Sequence, residues 1–266
     1  MTFGEAEARA ASDLLFGHWR AGTVLDTLPD GLRPATRAEG YAVQAHLEAR
    51  SLSPLFGWKI AATSAAGQAH INVDGPLAGR LLAEMVAEDG AALPFGANRM
   101  RVAEAEFAFR MGRDLPPRRA GAPPYAVEEV LAAVASLHPA IEVPDSRFAD
   151  FASAGGPQLI ADNACAHQFV LGPATDVDWQ GMDLAAHPVR GSVDGAAAEG
   201  RGANALGDPR LALAWLVNEL SGLGVTLAAG QVVTTGTCVA PMPVAPGVEV
   251  AADLGILGRT TLRFTG

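Results

Sequence analysis

The stretch from Arg101 to Phe109 places two carboxylates two residues apart, at Glu104 and Glu106. Successive side chains of a β-strand point to opposite faces, so these two share one face, with backbones about 7 Å apart. Phe107 and Phe109 give the other face an apolar character that suits a core. Carboxylates this close repel unless a proton or a cation joins them, and a hard divalent cation meets that need. The alternative is a strand with one solvated acidic face.

A third carboxylate follows at Glu142, in a short extended run between Pro139 and Pro144. This run comes directly after a helix that the apolar spacing predicts over residues 127–137. Three acidic ligands that leave other positions to water or substrate suit Mg²⁺ or Mn²⁺ better than Zn²⁺. The residues therefore indicate a metal site at Glu104, Glu106 and Glu142.

The run from Phe56 to Ser64 is typical of a buried strand, and its only charge is Lys59. Burying an ammonium is costly unless it meets an anion, so we expect Lys59 to have an anionic partner. The alternative is a lysine that reaches solvent from a strand end. Asp74 lies in a Val-Asp-Gly-Pro sequence that is equally typical of an ordinary turn aspartate.

Two helices are predicted at the start of the chain. The first covers residues 5–21, and a capping box at 36–39 begins a second that runs to about residue 52. We therefore expect a helical segment over residues 1–52 and a catalytic domain over 53–266. The later part of the chain shows a helix that starts at Asp208 and strands between Gly and Pro turns, which is an α+β pattern.

The composition restricts the partners. The chain has 266 residues, a formal charge of −10 and no cluster of basic residues, which argues against nucleic acid or an anionic membrane as partner. Cys165 and Cys238 have no metal-binding spacing, and the chain begins with acidic residues instead of a basic and apolar signal. We expect a cytoplasmic protein with a small-molecule substrate. Dinucleotide-binding, P-loop and Gly-x-Ser-x-Gly motifs are not found in the sequence.

Motifs spread over nearly the whole chain resemble those of the fumarylacetoacetate hydrolase superfamily, and within it the 2-oxopent-4-enoate hydratases and 4-oxalocrotonate decarboxylases of aromatic-compound degradation. The motifs are Gly57-x-Lys59, Val73-Asp74-x-Pro76, Glu104-Ala-Glu106, Arg113-Asp-Leu-Pro116, Ile141-Glu142-Val143, Ala161-Asp-Asn-Ala164, Gly200-Arg-Gly202 and Thr235-Gly236. Their order and spacing together are specific, although each alone is weak.

The resemblance implies a fold, a site and an assembly. The fold would be an N-terminal helical segment packed on a mixed β-roll, with the site in the mouth of the roll. Glu104, Glu106 and Glu142 would hold the divalent metal, and Lys59 and Asp74 would act at the substrate. The superfamily also implies homo-oligomers, with association between related hydratases and decarboxylases as a further option.

Two departures from the family pattern touch the expected pocket wall, at Ala61-Ala62 and at Thr237-Cys238-Val239. The His-x-x-Glu pair of the hydrolase branch does not occur in the sequence, which favours the hydratase and decarboxylase branch. We therefore expect hydration of a 2-hydroxy-2,4-dienoate, with Asp74 orienting Lys59. The alternatives are decarboxylation of a 2-oxo diacid, hydrolysis of an acylpyruvate, and a non-catalytic partner subunit.

Overall fold

A computed structural model of the chain describes residues 3–266. The helices in this range are α1 Glu5–Ala21, α2 Arg37–Ala45, α3 Ala65–His70, α4 Val127–Leu131, α5 Gly156–Ala161 and α6 Pro209–Gly222. The strands are β1 Gly57–Ala61, β2 Leu77–Leu81, β3 Val86–Glu88, β4 Ala91–Pro94, β5 Val102–Met111, β6 Val134–Val143, β7 Gln168–Leu171, β8 Pro188–Val193, β9 Ala196–Arg201, β10 Val232–Thr234, β11 Met242–Pro243, β12 Glu249–Asp253 and β13 Arg259–Thr265.

Two mixed sheets form the body of the protein. The larger follows the order β2-β1-β10-β5-β6-β7-β3, with β11 paired to one end of β5, and the smaller follows β4-β13-β12-β8-β9. In the larger sheet β1 runs parallel to β10 and β3 runs parallel to β7. Strands β12 and β13 of the smaller sheet pack on β5 and β6, so the two sheets face each other across the core.

Strand β5 lies near the middle of the larger sheet and is covered on both faces. It pairs with β10 and β11 along one edge and with β6 along the other. Phe107 and Phe109 are buried in the main core, as predicted. Because the opposite face is covered as well, its carboxylates point into the interior of the protein instead of into bulk solvent.

The N-terminal helices confirm the predicted caps. Helix α1 covers residues 5–21 as predicted and ends at Gly22, whose φ of +64° is a left-handed conformation that glycine adopts freely. The capping box of α2 is present, with Thr36 Oγ1 accepting from Glu39 N at 3.2 Å. The predicted extension of α2 to residue 52 is wrong. The helix ends at Ala45 because the chain turns to bury Leu47 and to pair Glu48 with Arg80, a long-range contact that local periodicity does not encode.

Helix α2 docks on β2, the edge strand of the larger sheet. Tyr41 Oη accepts from Ala78 N at 3.1 Å, and Gln44 Nε2 donates to Ala78 O at 2.8 Å and to Ile160 O at 2.9 Å. These side chains satisfy backbone groups that an edge strand would otherwise leave exposed. The division of the chain at residue 52 stays a prediction.

The helix predicted over residues 127–137 is only half correct. Helix α4 ends at Leu131, and the next apolar residues belong to β6, a ten-residue strand paired with β5. Both segments carry valine and leucine at spacings that suit a helix, but ten residues of pairing with a buried strand outweigh that local preference. Glu142 is extended, as predicted, near the end of this strand.

The predicted α+β architecture, a helical N-terminal segment on a mixed β-roll, is confirmed by the two facing sheets and the helices on them. Within residues 3–266, the helices fall short of the length and apolarity that crossing a membrane requires.

Candidate metal centre and its adjoining cavity

The pairing of β5 with β6 brings the three predicted carboxylates together. Glu104 lies directly opposite Glu142 in the register of the two strands, and Glu106 lies opposite Ala140. One carboxylate oxygen from each of Glu104, Glu106 and Glu142 lies within 4.8 Å of the others. Glu106 and Glu142 are completely buried, and Glu104 is partly exposed to an adjoining cavity.

The hydrogen bonds of the cluster hold one oxygen of Glu106 and leave others free. Glu106 Oε2 accepts from Gly236 N at 2.8 Å and from the hydroxyl of Thr234, which fixes the side chain against β10. Glu106 Oε1 and Glu142 Oε2 are buried and accept no hydrogen bond, whereas Glu142 Oε1 is paired with Lys59. Buried carboxylate oxygens are almost always partnered, so these oxygens are available to bind a cation.

The pKa values of the cluster show the cost of holding these charges together. Burial, with the charge of Glu142 in addition, raises the pKa of Glu104 to about 7. Burial and the neighbouring charges of Glu142 and Glu104 hold the pKa of Glu106 well above its ordinary value. Burial also raises the pKa of Glu142, against the opposing effect of Lys59. A cation at the centre would relieve this cost.

Lys59 is buried on β1 and forms an ion pair with Glu142. The Lys59 Nζ atom lies 2.8 Å from Glu142 Oε1 and donates to Ala164 O at 3.0 Å. Burial lowers the pKa of Lys59, but the charges of Glu142 and Glu104 outweigh it and the pKa is raised overall, so the ammonium stays charged. The side chain is only 3% exposed. The alternative of a lysine that reaches solvent is therefore wrong.

The donor set fits a divalent metal ion. When ionised, the three carboxylates carry three negative charges and Lys59 contributes one positive charge, so the net charge of the four side chains is −2. Oxygen donors of this kind suit Mg²⁺ and related hard cations. The unpartnered oxygens of Glu106 and Glu142 face the same small volume as Glu104, so charge, donor type and free coordination capacity all agree.

Asp74 does not join the site in the way that the sequence predicted. Its side chain is 93% exposed, and its charged neighbour is Arg37, with Arg37 Nη1 3.9 Å from Asp74 Oδ1. The predicted contact between Asp74 and Lys59 is wrong, because strand pairing places Glu142 beside the ammonium instead. A role of Asp74 at the substrate stays a prediction, since its turn lies between Ile71 and Leu77, which both line the cavity.

A strained turn that the sequence did not reveal holds Lys59 in place. Asn163, Ala164 and Cys165 have φ values of +57°, +50° and +61°, which side chains other than glycine rarely adopt. Asn163 secures the turn to β2, because its Oδ1 accepts from Arg80 N at 2.6 Å and its Nδ2 donates to Arg80 O at 2.8 Å. The turn thereby presents Ala164 O to the ammonium.

One sequence signal for Lys59 is visible in retrospect. Lys59 is the only lysine of the 266-residue chain, and the other basic side chains of the lysine and arginine type are all arginines. A chain that uses arginine everywhere else keeps an ammonium at this one position. Arginine and lysine differ in size, planarity and ease of deprotonation, so an arginine at this position would not be equivalent.

A cavity of about 640 Å³ opens beside Lys59 and Glu104. Ala61, Ala62, Thr237 and Val239 line it, so both departures from the family pattern do reach the pocket wall. Cys238 differs from its neighbours in that its buried side chain packs in the main core. The carboxylate cluster therefore adjoins a pocket large enough for an organic substrate.

The chain is similar to known proteins over most of its length. A family model for the fumarylacetoacetate (FAA) hydrolase C-terminal domain matches residues 47–265. A 2-hydroxyhexa-2,4-dienoate hydratase from Comamonas testosteroni is 32% identical, and the match covers 94% of this chain and 95% of that protein. A 2-keto-4-pentenoate hydratase from Burkholderia vietnamiensis is 35% identical, over 90% of this chain and 89% of that protein.

A solved structure shares the fold over almost the full length. The structure of 4-oxalocrotonate decarboxylase from Pseudomonas putida G7, complexed with magnesium and adipate, superposes with a TM-score of 0.89 at 26% sequence identity. The match covers 99% of both chains. A magnesium ion in a protein of this fold agrees with the oxygen-rich cluster described above.

Proposed function

Because the chain belongs to the fumarylacetoacetate hydrolase family, we propose that it is a divalent-metal-dependent hydratase of 2-hydroxy-2,4-dienoates. Its product would be a 4-hydroxy-2-oxo acid of the kind formed when aromatic compounds are degraded. The observation that carries the proposal is the meeting of three carboxylates and the only lysine at the inner end of a cavity. The names of the two hydratase relatives support this reaction over others of the family.

Glu104, Glu106 and Glu142 are the residues that would hold the metal ion. When bound, a divalent cation supplies a Lewis acid for the carboxylate and 2-oxo oxygens of the substrate and stabilises negative charge on them. Thr234 and the backbone of Gly236 fix Glu106 through one oxygen, so the other oxygen keeps its direction without rearrangement. Such preorganisation is what a metal ligand requires.

Lys59 is the residue that would contact the reacting part of the substrate. An ammonium has three N–H donors, and Glu142 and Ala164 O account for two of them. The third is available to the substrate carboxylate or to a carbon that gains a proton. Ketonisation moves a proton from the 2-hydroxyl to C5, and hydration of the resulting enone adds the water oxygen to C4 and a proton to C3. Lys59 Nζ would hold the proton while it moves between the 2-hydroxyl group and the carbon atoms.

Decarboxylation of a 2-oxo diacid is the second candidate, because the structure with a TM-score of 0.89 is a 4-oxalocrotonate decarboxylase. The same centre would serve it, since both reactions need negative charge stabilised next to a 2-oxo acid. The homo-oligomeric assembly, the association with a related enzyme and the cytoplasmic location predicted from the sequence belong to the same proposal. Sedimentation of the purified protein tests the assembly.

An ultraviolet assay with parallel carbon dioxide measurement tests the reaction class. The protein is mixed with Mg²⁺ and either 2-hydroxypenta-2,4-dienoate or 4-oxalocrotonate, and dienoate absorbance is followed. Loss of absorbance from the first substrate without carbon dioxide is the expected result. Carbon dioxide from the second substrate, with the first left unchanged, would instead establish the decarboxylase. Turnover of neither would contradict both enzymes and favour a non-catalytic subunit.

A further inference from the structure

Thr63 carries a buried hydroxyl group that has no protein partner. The residue is 6% exposed and lines the same cavity as Lys59 and Glu104. Its Oγ1 atom takes part in no hydrogen bond within residues 3–266, although its backbone oxygen accepts from Leu206 N at 2.9 Å. A buried hydroxyl group without a partner costs stability compared with an apolar group of the same shape. The hydroxyl group therefore indicates a ligand that binds in the cavity.

The backbone of Gly236 holds this hydroxyl group next to the carboxylate cluster. A Cβ atom added to Gly236 would lie 2.1 Å from Thr63 Oγ1, so the hydroxyl group lies directly against the glycine backbone. Gly236 N in turn donates to Glu106 Oε2 at 2.8 Å. The same residue therefore orients a carboxylate of the cluster and makes room for the hydroxyl group of Thr63.

Two strained residues bring the segment at residues 204–206 beside Thr63. Ala62 has a φ of +58° and Leu206 a φ of +51°, values that side chains other than glycine rarely adopt. Ala62 directly precedes Thr63, and Leu206 donates the hydrogen bond that joins the two segments. Strain of this kind persists only where the surrounding structure holds it, and it is concentrated at functional sites.

Asn204 and Thr237 supply further polar groups to the same part of the cavity wall. Asn204 Nδ2 donates to Cys238 O at 2.7 Å, which fixes the orientation of the amide because a carbonyl oxygen cannot donate. Within the part of the chain that the structure describes, Asn204 Oδ1 accepts no hydrogen bond. Thr237 Oγ1 donates to Val239 O at 2.7 Å and can still accept. Thr63, Asn204 and Thr237 together form a polar corner of the cavity.

We propose that the polar corner binds the water molecule that adds to C4 of the substrate. This inference rests on the proposed function and assigns residues to its hydration step. A bound water molecule needs about two to four polar partners. Thr63 Oγ1 can donate to it, and Asn204 Oδ1 and Thr237 Oγ1 can accept from it.

The hydration step is balanced as follows. The water oxygen bonds to C4, and the electron pair of the C3=C4 double bond moves toward the 2-oxo group. C3 then takes a proton from the ammonium of Lys59. The water molecule releases one proton to the solvent in the cavity, from which Lys59 regains its proton. The polar corner thus orients the attacking water, while Lys59 supplies the proton.

Separate rates for ketonisation and hydration test this assignment. In heavy water with Mg²⁺ and 2-hydroxypenta-2,4-dienoate, NMR follows deuterium entering C5 and the formation of the 4-hydroxy product. Thr63→Val keeps the shape of the side chain and removes its hydroxyl group. The rate of hydration should fall at least about tenfold while ketonisation stays within about twofold of the wild type, so that the 2-oxo enone accumulates. Thr63→Ser should restore most of the hydration rate.

Three controls accompany this measurement. Thr63→Val should unfold at the wild-type temperature or above it, because the hydroxyl group has no partner to lose. Asn204→Leu should change the ratio of the two rates in the same direction as Thr63→Val, and this ratio does not depend on how much of the protein is folded. His70 is another polar residue of the cavity wall, on the exposed helix α3, so His70→Gln should leave both rates unchanged.

The inference and the proposed function fail in different ways. If the wild type forms no hydrated product, both are wrong. If the wild type hydrates the substrate and Thr63→Val leaves the ratio of the two rates unchanged, only the inference is wrong. An equal fall in both rates would also overturn it, because the hydroxyl group would then act on substrate binding common to both steps. Loss of hydration in His70→Gln but not in Thr63→Val would assign the water molecule to His70 instead.

Discussion

Glu106 combines a fixed oxygen with a free one, which makes it the most informative carboxylate to change. In Glu106→Gln the amide oxygen can still accept from Gly236 N and Thr234, while the NH₂ group replaces the unpartnered oxygen. We expect the affinity for Mg²⁺ to fall about 100-fold or more, because a donor group would face the cation. Calorimetric titration with Mg²⁺ measures this change.

Thermal unfolding provides the control for that variant. Without metal, Glu106→Gln should unfold at the wild-type temperature or above it, because the amide removes repulsion within the carboxylate cluster. Mg²⁺ at a hundredfold excess over its dissociation constant should stabilise the wild type by about 3 kcal/mol and the variant much less. Glu88→Gln, on the exposed end of β3, should respond to Mg²⁺ like the wild type. Full metal affinity in Glu106→Gln would show that the site is misplaced.

Lys59 can act as a carboxylate anchor or as a proton carrier, and Lys59→Arg separates the two. We expect kcat at saturating substrate to fall about 100-fold or more, because guanidinium does not release its proton near neutral pH. Steady-state kinetics measures kcat and KM separately.

The opposite kinetic pattern would reassign Lys59. Near-normal kcat with a raised KM would make it an anchor for the substrate carboxylate and nothing more. Retained stabilisation by Mg²⁺ in Lys59→Arg shows that the cluster is intact. Asp74→Asn is the companion variant. Lost turnover would support the predicted role of Asp74 at the substrate, whereas wild-type kinetics would show that Asp74 has no such role.

The residues of the site were predictable to the extent that strand alternation determines them. Alternation along β5 was enough to place Glu104 and Glu106 on one face, and the extended run around Glu142 was visible in the sequence. The partner of Lys59 was not predictable, because it depends on the register of β1, β10, β5 and β6 together. For that reason the prediction that Asp74, which lies close to Lys59 in the sequence, orients the ammonium was wrong.

The turn at Asn163–Cys165 is the element that positions the ammonium, and it is strained. Asn163→Ala should lower the free energy of unfolding by about 3 kcal/mol, because Arg80 N and O would lose their buried partners. Asn163→Gly should be about 1 kcal/mol less destabilising, since glycine accepts a φ of +57°. Denaturant unfolding measures both values.

A second left-handed asparagine separates strain from hydrogen bonding. Asn72 is exposed and has a φ of +51°, so Asn72→Ala introduces the same backbone strain without removing a buried pairing. It should cost about 1 kcal/mol. If Asn163→Ala costs no more than Asn72→Ala, the hydrogen bonds to Arg80 do not hold the turn. Reduced kcat in Asn163→Ala, with Mg²⁺ binding retained, is the expected effect on Lys59.

Helix α1 is attached to the roll through a histidine that must stay neutral. Trp19 Nε1 donates to His167 Nδ1 at 2.9 Å. Burial lowers the pKa of His167 from 6.5 to about 4, with Arg147 acting in the same direction and Asp145 against it. Because the unfolded chain takes up the proton first, this contribution to stability is complete above pH 6.5 and is lost as the pH falls toward 4.

His167→Asn tests that dependence. Asparagine keeps an acceptor for Trp19 but does not titrate, so the variant should lose less stability than the wild type between pH 7 and pH 4, by on the order of 2 kcal/mol. Urea unfolding at a series of pH values gives the two curves. Parallel curves for His167→Asn and the wild type would contradict the account.

Elements with local signals were predicted well, and elements fixed by distant pairing were not. The Gly22 cap and the capping box at Thr36 are local chemistry, and both were read correctly. Strand β6 was partly taken for helix because its partner β5 lies far away in the sequence. The left-handed turn at residues 163–165 contains no glycine, so its strain could not be predicted from the sequence and is shown only by the backbone dihedral angles.

At the scale of the whole molecule, the two facing sheets keep the carboxylates in the interior and leave one cavity beside them. The fold class followed from the strand-rich second part of the chain and from the resemblance in its motifs. The volume and the apolar walls of the cavity could not be predicted from the sequence, because they are formed by segments from five parts of the chain. The division into segments 1–52 and 53–266 remains a prediction, and the hydrogen bonds of α2 to β2 mean that the second segment alone would expose a sheet edge.

The mass of the product from 2-hydroxypenta-2,4-dienoate tests the central claim most directly. Mass spectrometry follows the protein with Mg²⁺, and the same protein after metal removal with a chelator. We expect a product heavier than the substrate by one water, formed only when the divalent ion is present. A substrate recovered unchanged with Mg²⁺, or an equal yield of hydrated product after the metal is removed, would contradict it.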